Sequence, residues 1–395
     1  MHRRQFLSLA SAAPMLTLPW ATTLQAAPSD VSRRSLLVLI YLKGGNDAYN
    51  TFVPLNDARY RRLRPTIGIS REQLIPFSAT HGFNPALKSL LPAWESREIA
   101  LLQGIGQEEV TNQHYRDLEM QFTASSLGNY YSDGWVTRAF GANAARNLRG
   151  KSELDALAFG DLDIREADPM GPFRGNKIRV INMQHPSEWI IGQKVAGTLH
   201  LESTPARVLA ESYAQPQRIT LATAFPANEF GDALRAAAEL AAAGMAPPVI
   251  HVSLTAVDDD QHHAFDTHWE QNKYHTATLT KLAEGLASFR DAMREIGQWN
   301  DTLVATYDEF GRSPKENIKQ GTDHGWSSTH MVMGGKVKGG LFGAPMPVID
   351  VFAIDGPAPV IDYRELYTTI IEQWWGGNAT GVFERKFKSL DLLRS

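Results

Sequence analysis

The chain has 395 residues, 43% hydrophobic and 21% charged, which supplies a large buried core and excludes an intrinsically disordered protein. Its 39 lysines and arginines nearly balance 43 carboxylates, a net charge of −4, so the composition encodes no basic surface for nucleic acid. With 0 cysteines there is no disulfide and no thiolate, and any metal ion must be held by His, Asp, Glu or Asn, which are harder ligands.

At the N-terminus, Arg3-Arg4-Gln5-Phe6-Leu7 joins two arginines to apolar residues, a moderately apolar stretch covers 7–18, and small residues follow at Ala26-Ala27. These are the parts of a cleavable twin-arginine export signal. Pro14 and Pro19 interrupt the apolar stretch, which is shorter than the ~20 residues a spanning helix needs, so no membrane span is expected after cleavage. Residues 1–26 are read as the signal and residues 27–395 as one mature domain, exported to the periplasm or beyond.

Next in the chain, residues 35–42 (SLLVLIYL) form a nearly unbroken apolar run ended by Lys43-Gly44-Gly45-Asn46-Asp47. Such a run predicts a strand buried on both faces, as in a parallel sheet. Residues 98–104, 249–255 and 302–307 repeat the pattern, and 154–159 and 331–333 do so more weakly. Helical spacing alternates with these runs at 84–96, 114–124, 228–243, 274–296 and 362–375. Alternating strands and helices predict an α/β fold of three layers, α/β/α, around a mixed, mostly parallel sheet with the first strand central.

In such sheets ligands bind beyond the carboxyl ends of the strands. The first strand is followed by Asn46, Asp47 and Asn50; the second by Thr111, Asn112, Gln113 and His114. The third is followed by Asp258-Asp259-Asp260, His262-His263, Asp266 and His268, and the fourth by Asp308, Glu309, Arg312, Asp323 and His324. Each cluster alone has a plain structural explanation: a Gly-rich turn, a helix cap at Asp266, a surface ion pair between Glu309 and Arg312, a hydrogen-bonded His114 at a helix start. Their recurrence after successive strands points instead to carboxylates and imidazoles gathered for metal-assisted ester hydrolysis, in which two cations ~4 Å apart clamp the attacking and leaving oxygens.

Several of these segments carry a resemblance. Gly44-Gly45-Asn46-Asp47, Asp133-Gly134-Trp135, Phe265-Asp266-Thr267-His268, Glu309-Phe310-Gly311-Arg312, Gly321-Thr322-Asp323-His324-Gly325, the Gly334–Gly340 glycine-lysine run, Tyr363-Arg364 and Glu372-Gln373-Trp374 stand in an order and spacing that resembles the domain-of-unknown-function 1501 family (DUF1501) over nearly the whole mature chain. That family is grouped with the alkaline phosphatase-like superfamily, which includes sulfatases and phosphodiesterases. The resemblance implies an alkaline phosphatase-like fold, a small anionic phosphate or sulfate ester as substrate, and divalent ions, with zinc, manganese and calcium all open. Members often carry twin-arginine signals, and their genes often neighbour a second exported family, DUF1800, which implies an exported protein partner.

Carried over residue by residue, the resemblance makes Asp47, Asp266, His268, Glu309 and His324 metal ligands, with Asp308 beside Glu309, Asp323 as ligand or orienter, and His114 near the chemistry. Asp308 departs from the Ser or Thr usual before Glu-Phe-Gly-Arg. At the helix start that carries the superfamily's nucleophile, the usual Arg-Ser-His-Phe reads Asn112-Gln113-His114-Tyr115 here. Three outcomes stay open: Thr111 is the nucleophile, a water on the metal attacks, or the protein keeps the site without turnover and serves as a binding or assembly partner. Thr111 has a second reading as the cap of the helix at His114.

Overall fold

The computed structural model describes residues 35–141, 154–160, 171–175, 177–183, 220–255, 264–350 and 357–394. The twin-arginine segment 1–26 and the residues Asp258, Asp259, Asp260, His262 and His263 lie outside the described residues. The strands in chain order are β1 (Leu36–Leu42), β2 (Phe52–Pro54), β3 (Ile75–Pro76), β4 (His81–Phe83), β5 (Ile99–Gly106), β6 (Ala156–Phe159), β7 (Val180–Met183), β8 (Val249–Leu254), β9 (Thr302–Tyr307), β10 (Arg312–Glu316), β11 (Thr322–His324), β12 (Ser328–Met333), β13 (Gly340–Gly343) and β14 (Ile361–Asp362). The helices used below are α1 (Ala48–Thr51), α2 (Ala58–Leu63), α3 (Leu91–Glu95), α4 (His114–Thr123), α5 (Trp135–Gly141), α6 (Glu229–Ala242), α7 (Gln271–Glu295) and α8 (Tyr363–Thr369).

β1 is apolar throughout because both of its faces are buried. Leu36, Val38, Ile40 and Leu42 enter one hydrophobic cluster, and Leu37, Leu39 and Tyr41 enter another. The strand lies between β8 and β9, with Ile40 level with Val252 on one side and Thr306 on the other. The main sheet runs β13-β5-β12-β9-β1-β8-β6-β7, with β14 also paired to β5. Only β12 opposes its neighbours, β5 and β9; the other described pairings of this sheet are parallel. The expected mixed, mostly parallel sheet with a central first strand is what the chain forms.

Helices cover both faces. Phe230 and Leu234 of α6 and Leu279, Leu286 and Phe289 of α7 pack with Ile40. Leu118 and Phe122 of α4, Trp135 and Val136 of α5, and Leu366 and Ile370 (α8 and just beyond) pack with Leu39 on the other side. α6 starts on Asn228, whose side chain accepts the Gly231 N–H, with Glu229 and Asp232 favourable in its first turn.

Three departures have physical causes. Residues 84–96 were expected as one helix, but Asn84 caps a 3₁₀ turn at Pro85–Leu90 that leads into α3, because Pro92, in the middle of the expected helix, has no N–H to donate. α7 begins three residues before the apolar pattern does, and α8 passes into a π-helical turn at Ile370–Trp374. β7, β13 and β14 were not expected; they are short, and partly or fully exposed residues in them break the apolar run.

If β1 anchors both cores, Ile40→Ala should destabilise the fold by about 2–5 kcal/mol, the range for a large core residue cut to alanine. Urea unfolding would read this as a lower midpoint with an unchanged slope.

Candidate metal centre

β1, β8 and β9 are parallel, so their exits meet at one edge of the sheet. Glycine allows them to touch there. Gly44 has φ +103°, and a Cβ on it would stand 2.5 Å from the Asp266 backbone nitrogen. Its N–H instead donates to both oxygens of Glu309, at 3.0 and 3.1 Å. Gly311 lets the turn after β9 close on the segment before β12, since a Cβ would meet the Ser327 oxygen at 1.9 Å. The β10–β11 hairpin then returns His324 opposite Arg312.

Three imidazoles converge on Asp266. Ligand atoms of His114, Asp266 and His324 all lie within 4.8 Å of one another. His268 adjoins them: its Nε2 is 3.1 Å from Asp266 Oδ1 and 3.0 Å from His324 Nε2. His324 Nε2 is 3.4 Å from Asp266 Oδ1, and His114 Nε2 is 3.5 Å from Asp266 Oδ2. Four donors around a tetrahedral ion at ~2.0–2.1 Å stand about 3.3–3.4 Å apart, close to these four separations of 3.0–3.5 Å.

The other ring nitrogens fix the tautomers. His324 Nδ1 lies 2.8 Å from the Asn112 carbonyl, which can only accept, so Nδ1 carries the proton. His268 Nδ1 faces Asp323 Oδ1 at 3.4 Å, and His114 Nδ1 faces Glu309 Oε1 at 3.2 Å, both acceptors as well. With Nδ1 protonated, the Nε2 atoms of His268 and His324 approach to 3.0 Å, and that approach needs a proton between them or a cation beside both. Outward Nδ1–H bonds to oxygen with inward Nε2 atoms are the arrangement of metal-ligating histidines. The residues present therefore fit a divalent ion.

Charge prepares His324 for an ion but not His114. Burial opposes the Asp266 anion, but the imidazoles of His114, His268 and His324 that face it, with the Arg312 charge, hold its carboxyl far below the usual range. Burial, helped by the nearby Arg312 and His114 charges, pushes His324 down, which favours its neutral ring. Burial works against the His114 cation as well; there, hydrogen bonds to Asp266 and Glu309 outweigh it and push the imidazole up to about 9, so an ion bound there would have to displace the proton on Nε2.

The remaining expected ligands are engaged by protein groups, Glu309 and Asp323 by the outer nitrogens of His114 and His268. Asp47 is fully buried, with Arg64 Nη1 at 2.5 Å and Nη2 at 3.0 Å, Gln271 Nε2 on the same carboxylate, and the Tyr49 N–H at 3.1 Å. Asp308 takes His330 Nε2 at 2.9 Å, Ser328 Oγ at 2.8 Å and the Asn46 N–H at 3.2 Å. Glu309 accepts from Tyr41 Oη at 2.6 Å besides Gly44 and His114. Asp323 is exposed and faces His268. Thr111 Oγ1 accepts the Gln113 N–H at 3.2 Å and donates to Asp117 at 3.1 Å, a helix-start cap. Arg312 is not the surface ion pair considered above: it is 1% exposed, and it bonds the carbonyls of Gly44, Gly45 and Thr322 and the Asp266 carboxylate. Arg64, Gln271 and Tyr41 were missed; Tyr41, polar-tipped inside an apolar run, was the one visible signal.

The family model described as a protein of unknown function (DUF1501) matches residues 183–374. No curated protein matches the chain. Solved structures similar to it include the PsFucS1 sulfatase from Pseudoalteromonas sp., at TM-score 0.41 and 10% identity over 91% of this chain and 71% of that one. The phosphonate monoester hydrolase SpPMH from Silicibacter pomeroyi is similar at TM-score 0.39 and 12% identity, over 90% and 76%. A protein in the alkaline phosphatase superfamily from Vibrio parahaemolyticus is similar at 0.38 and 10%, over 86% and 66%.

Asp47 and Arg64 supply a test of the buried framework. Burial opposes the Asp47 anion and Arg64 outweighs it, so the folded pKa is depressed. That contribution to stability is fully present above the unfolded value near ~3.9 and is lost as pH falls through the folded value. Arg64→Ala should cost about 3–5 kcal/mol at neutral pH by leaving a buried unpaired carboxylate. Denaturant titrations in acid should show that cost shrinking as Asp47 protonates.

Proposed function

We propose that the chain is an exported hydrolase of a phosphate or sulfate ester that uses one divalent ion held by His114, Asp266, His268 and His324. The observation that carries this is the convergence of Nε2 atoms on Asp266 while each Nδ1 faces an oxygen acceptor. A divalent ion held there would supply Lewis-acid polarisation of an ester oxygen. The protein's own part is to keep the ligands in place. Arg312 anchors Asp266, Phe310 stacks on His324 with ring centroids 4.2 Å apart, and Glu309 orients His114. Asp47, Asp308 and Glu309, each engaged by protein donors, frame the site rather than bind the ion. Thr111 Oγ1 is committed to the cap, which leaves water as the nucleophile. The ester class rests on the motif resemblance, and export rests on Arg3-Arg4 and the apolar stretch after it. A single mature domain after the leader agrees with one continuous main sheet. No described helix is long and apolar enough to cross a membrane.

A second reading draws on the same residues. Gln113 stands where a hydroxyl nucleophile is expected, and the Thr111 hydroxyl is engaged, which favours a non-catalytic exported metal-site protein that binds another exported protein, for instance of the DUF1800 type.

Protein stripped of metal and titrated with Zn²⁺, Mn²⁺ and Ca²⁺ should take up one ion per chain. His268→Ala and His324→Ala should each cost more than the ~10–100-fold in affinity that loss of an outer orienting partner costs. On a panel of aryl phosphate monoesters, diesters and sulfates, at least one class should turn over and a chelator should abolish it. Stoichiometric metal without turnover on any class would leave the binding-partner reading, and no metal uptake would end both.

A further inference from the structure

Neither the hydrophobic core nor the ligand set accounts for Asp117. It lies in the fourth position of α4 and is 0% exposed. Its Oδ1 accepts from the Thr111 N–H at 2.8 Å, Thr111 Oγ1 at 3.1 Å and Gln107 Nε2 at 3.1 Å. Its Oδ2 accepts the Gln113 N–H at 3.2 Å. Gln113, the residue at the helix cap, makes no side-chain cap bond of its own, so one carboxylate reaches back a full turn and gathers the loop before the helix.

That loop holds an unusual backbone. Asn112 has φ +55°, the left-handed region that costs an L residue energy and that asparagine tolerates better than most. In this conformation the Asn112 carbonyl meets His324 Nδ1 at 2.8 Å. The carbonyl accepts the hydrogen bond that Nδ1–H donates, which leaves Nε2 bare toward Asp266. The first residue of the helix that Asp117 secures is His114, a second imidazole of the cluster.

We propose that Asp117 is a positioning residue that, by fixing the 111–113 loop, sets the tautomer of His324 and prepares its Nε2 for a divalent ion. This rests on the metal-centre reading above. Asp117 touches no ligand atom of the cluster; it acts through Asn112 and through the start of α4.

The test pairs zinc affinity with a readout that needs no metal. Asp117→Asn keeps the shape and replaces an acceptor oxygen with a donor facing other donors. It should weaken Zn²⁺ binding by about 10–100-fold, the usual cost of losing an outer orienting partner. Asn228→Ala removes the cap of α6 on the opposite face of the sheet, and with a similar loss of Tm it should leave Zn²⁺ affinity unchanged. In the metal-free protein, long-range ¹H–¹⁵N imidazole spectra should show His324 as the Nδ1–H form in the wild type and as a mixture with Nε2–H in Asp117→Asn. Should Asp117→Asn not fold, Asn112→Val places a β-branched residue where positive φ is strongly disfavoured and should give the same affinity loss. Unchanged zinc affinity and an unchanged His324 tautomer in either folded variant would overturn the proposal. A wild type that binds no zinc, with a tautomer that still changes in Asp117→Asn, would sink the metal-centre reading and leave Asp117's control of His324 standing.

Discussion

The site depends on one buried guanidinium. Arg312 is out of contact with water and must have every donor met inside the protein, because an unpaired buried charge is far costlier than an unpaired surface one. It meets them with the carbonyls of Gly44 and Gly45 after β1, the carbonyl of Thr322 in β11 and the carboxylate of Asp266 after β8. Segments from three parts of the chain are thereby held at one point. The positive φ at Gly44 and the missing side chain at Gly311 let those segments come close enough for a single side chain to reach them.

Around that anchor the acidic groups divide into two kinds. Asp47 is answered by Arg64 and Gln271, Asp308 by His330, Ser328 and the Asn46 N–H, and Glu309 by Tyr41, the Gly44 N–H and His114. Each carboxylate is met by several protein donors, and such networks fix a geometry. Asp266 differs because its Arg312 anchor leaves three imidazole nitrogens facing the carboxylate. A protein that spread its acids evenly would offer a diffuse negative patch. This one neutralises most of them and concentrates ligand capacity at a single carboxylate.

The fold was legible because β1 is buried on both faces and therefore reads as an unbroken apolar run, and the same held for β5, β8 and β9. His114, Asp266, His268 and His324 were legible because they stand in the segments that follow strands or in a hairpin beside them. The division of labour among the acids was not. Arg64 belongs to the turn after a short helix, Ala-Arg-Tyr-Arg-Arg-Leu, whose charges read as a solvated face, so nothing local announced a partner for Asp47. Glu309 and Arg312 read as an i,i+3 surface pair, and only the tertiary path of the Gly44-Gly45 turn shows that both point inward. Asp117 sits inside an ordinary amphipathic helix, and the feature it controls is the φ of Asn112, a backbone property that residue type alone does not reveal.

A bound ion is identified by the atoms that meet it. X-ray absorption at the zinc edge of the zinc-loaded protein measures that shell directly. The structure predicts a four-coordinate site with three imidazole nitrogens and one carboxylate oxygen at ~2.0–2.2 Å, with the outer-ring scattering that histidine ligands produce. A shell of oxygens without imidazole scattering would place the metal elsewhere and contradict the central claim.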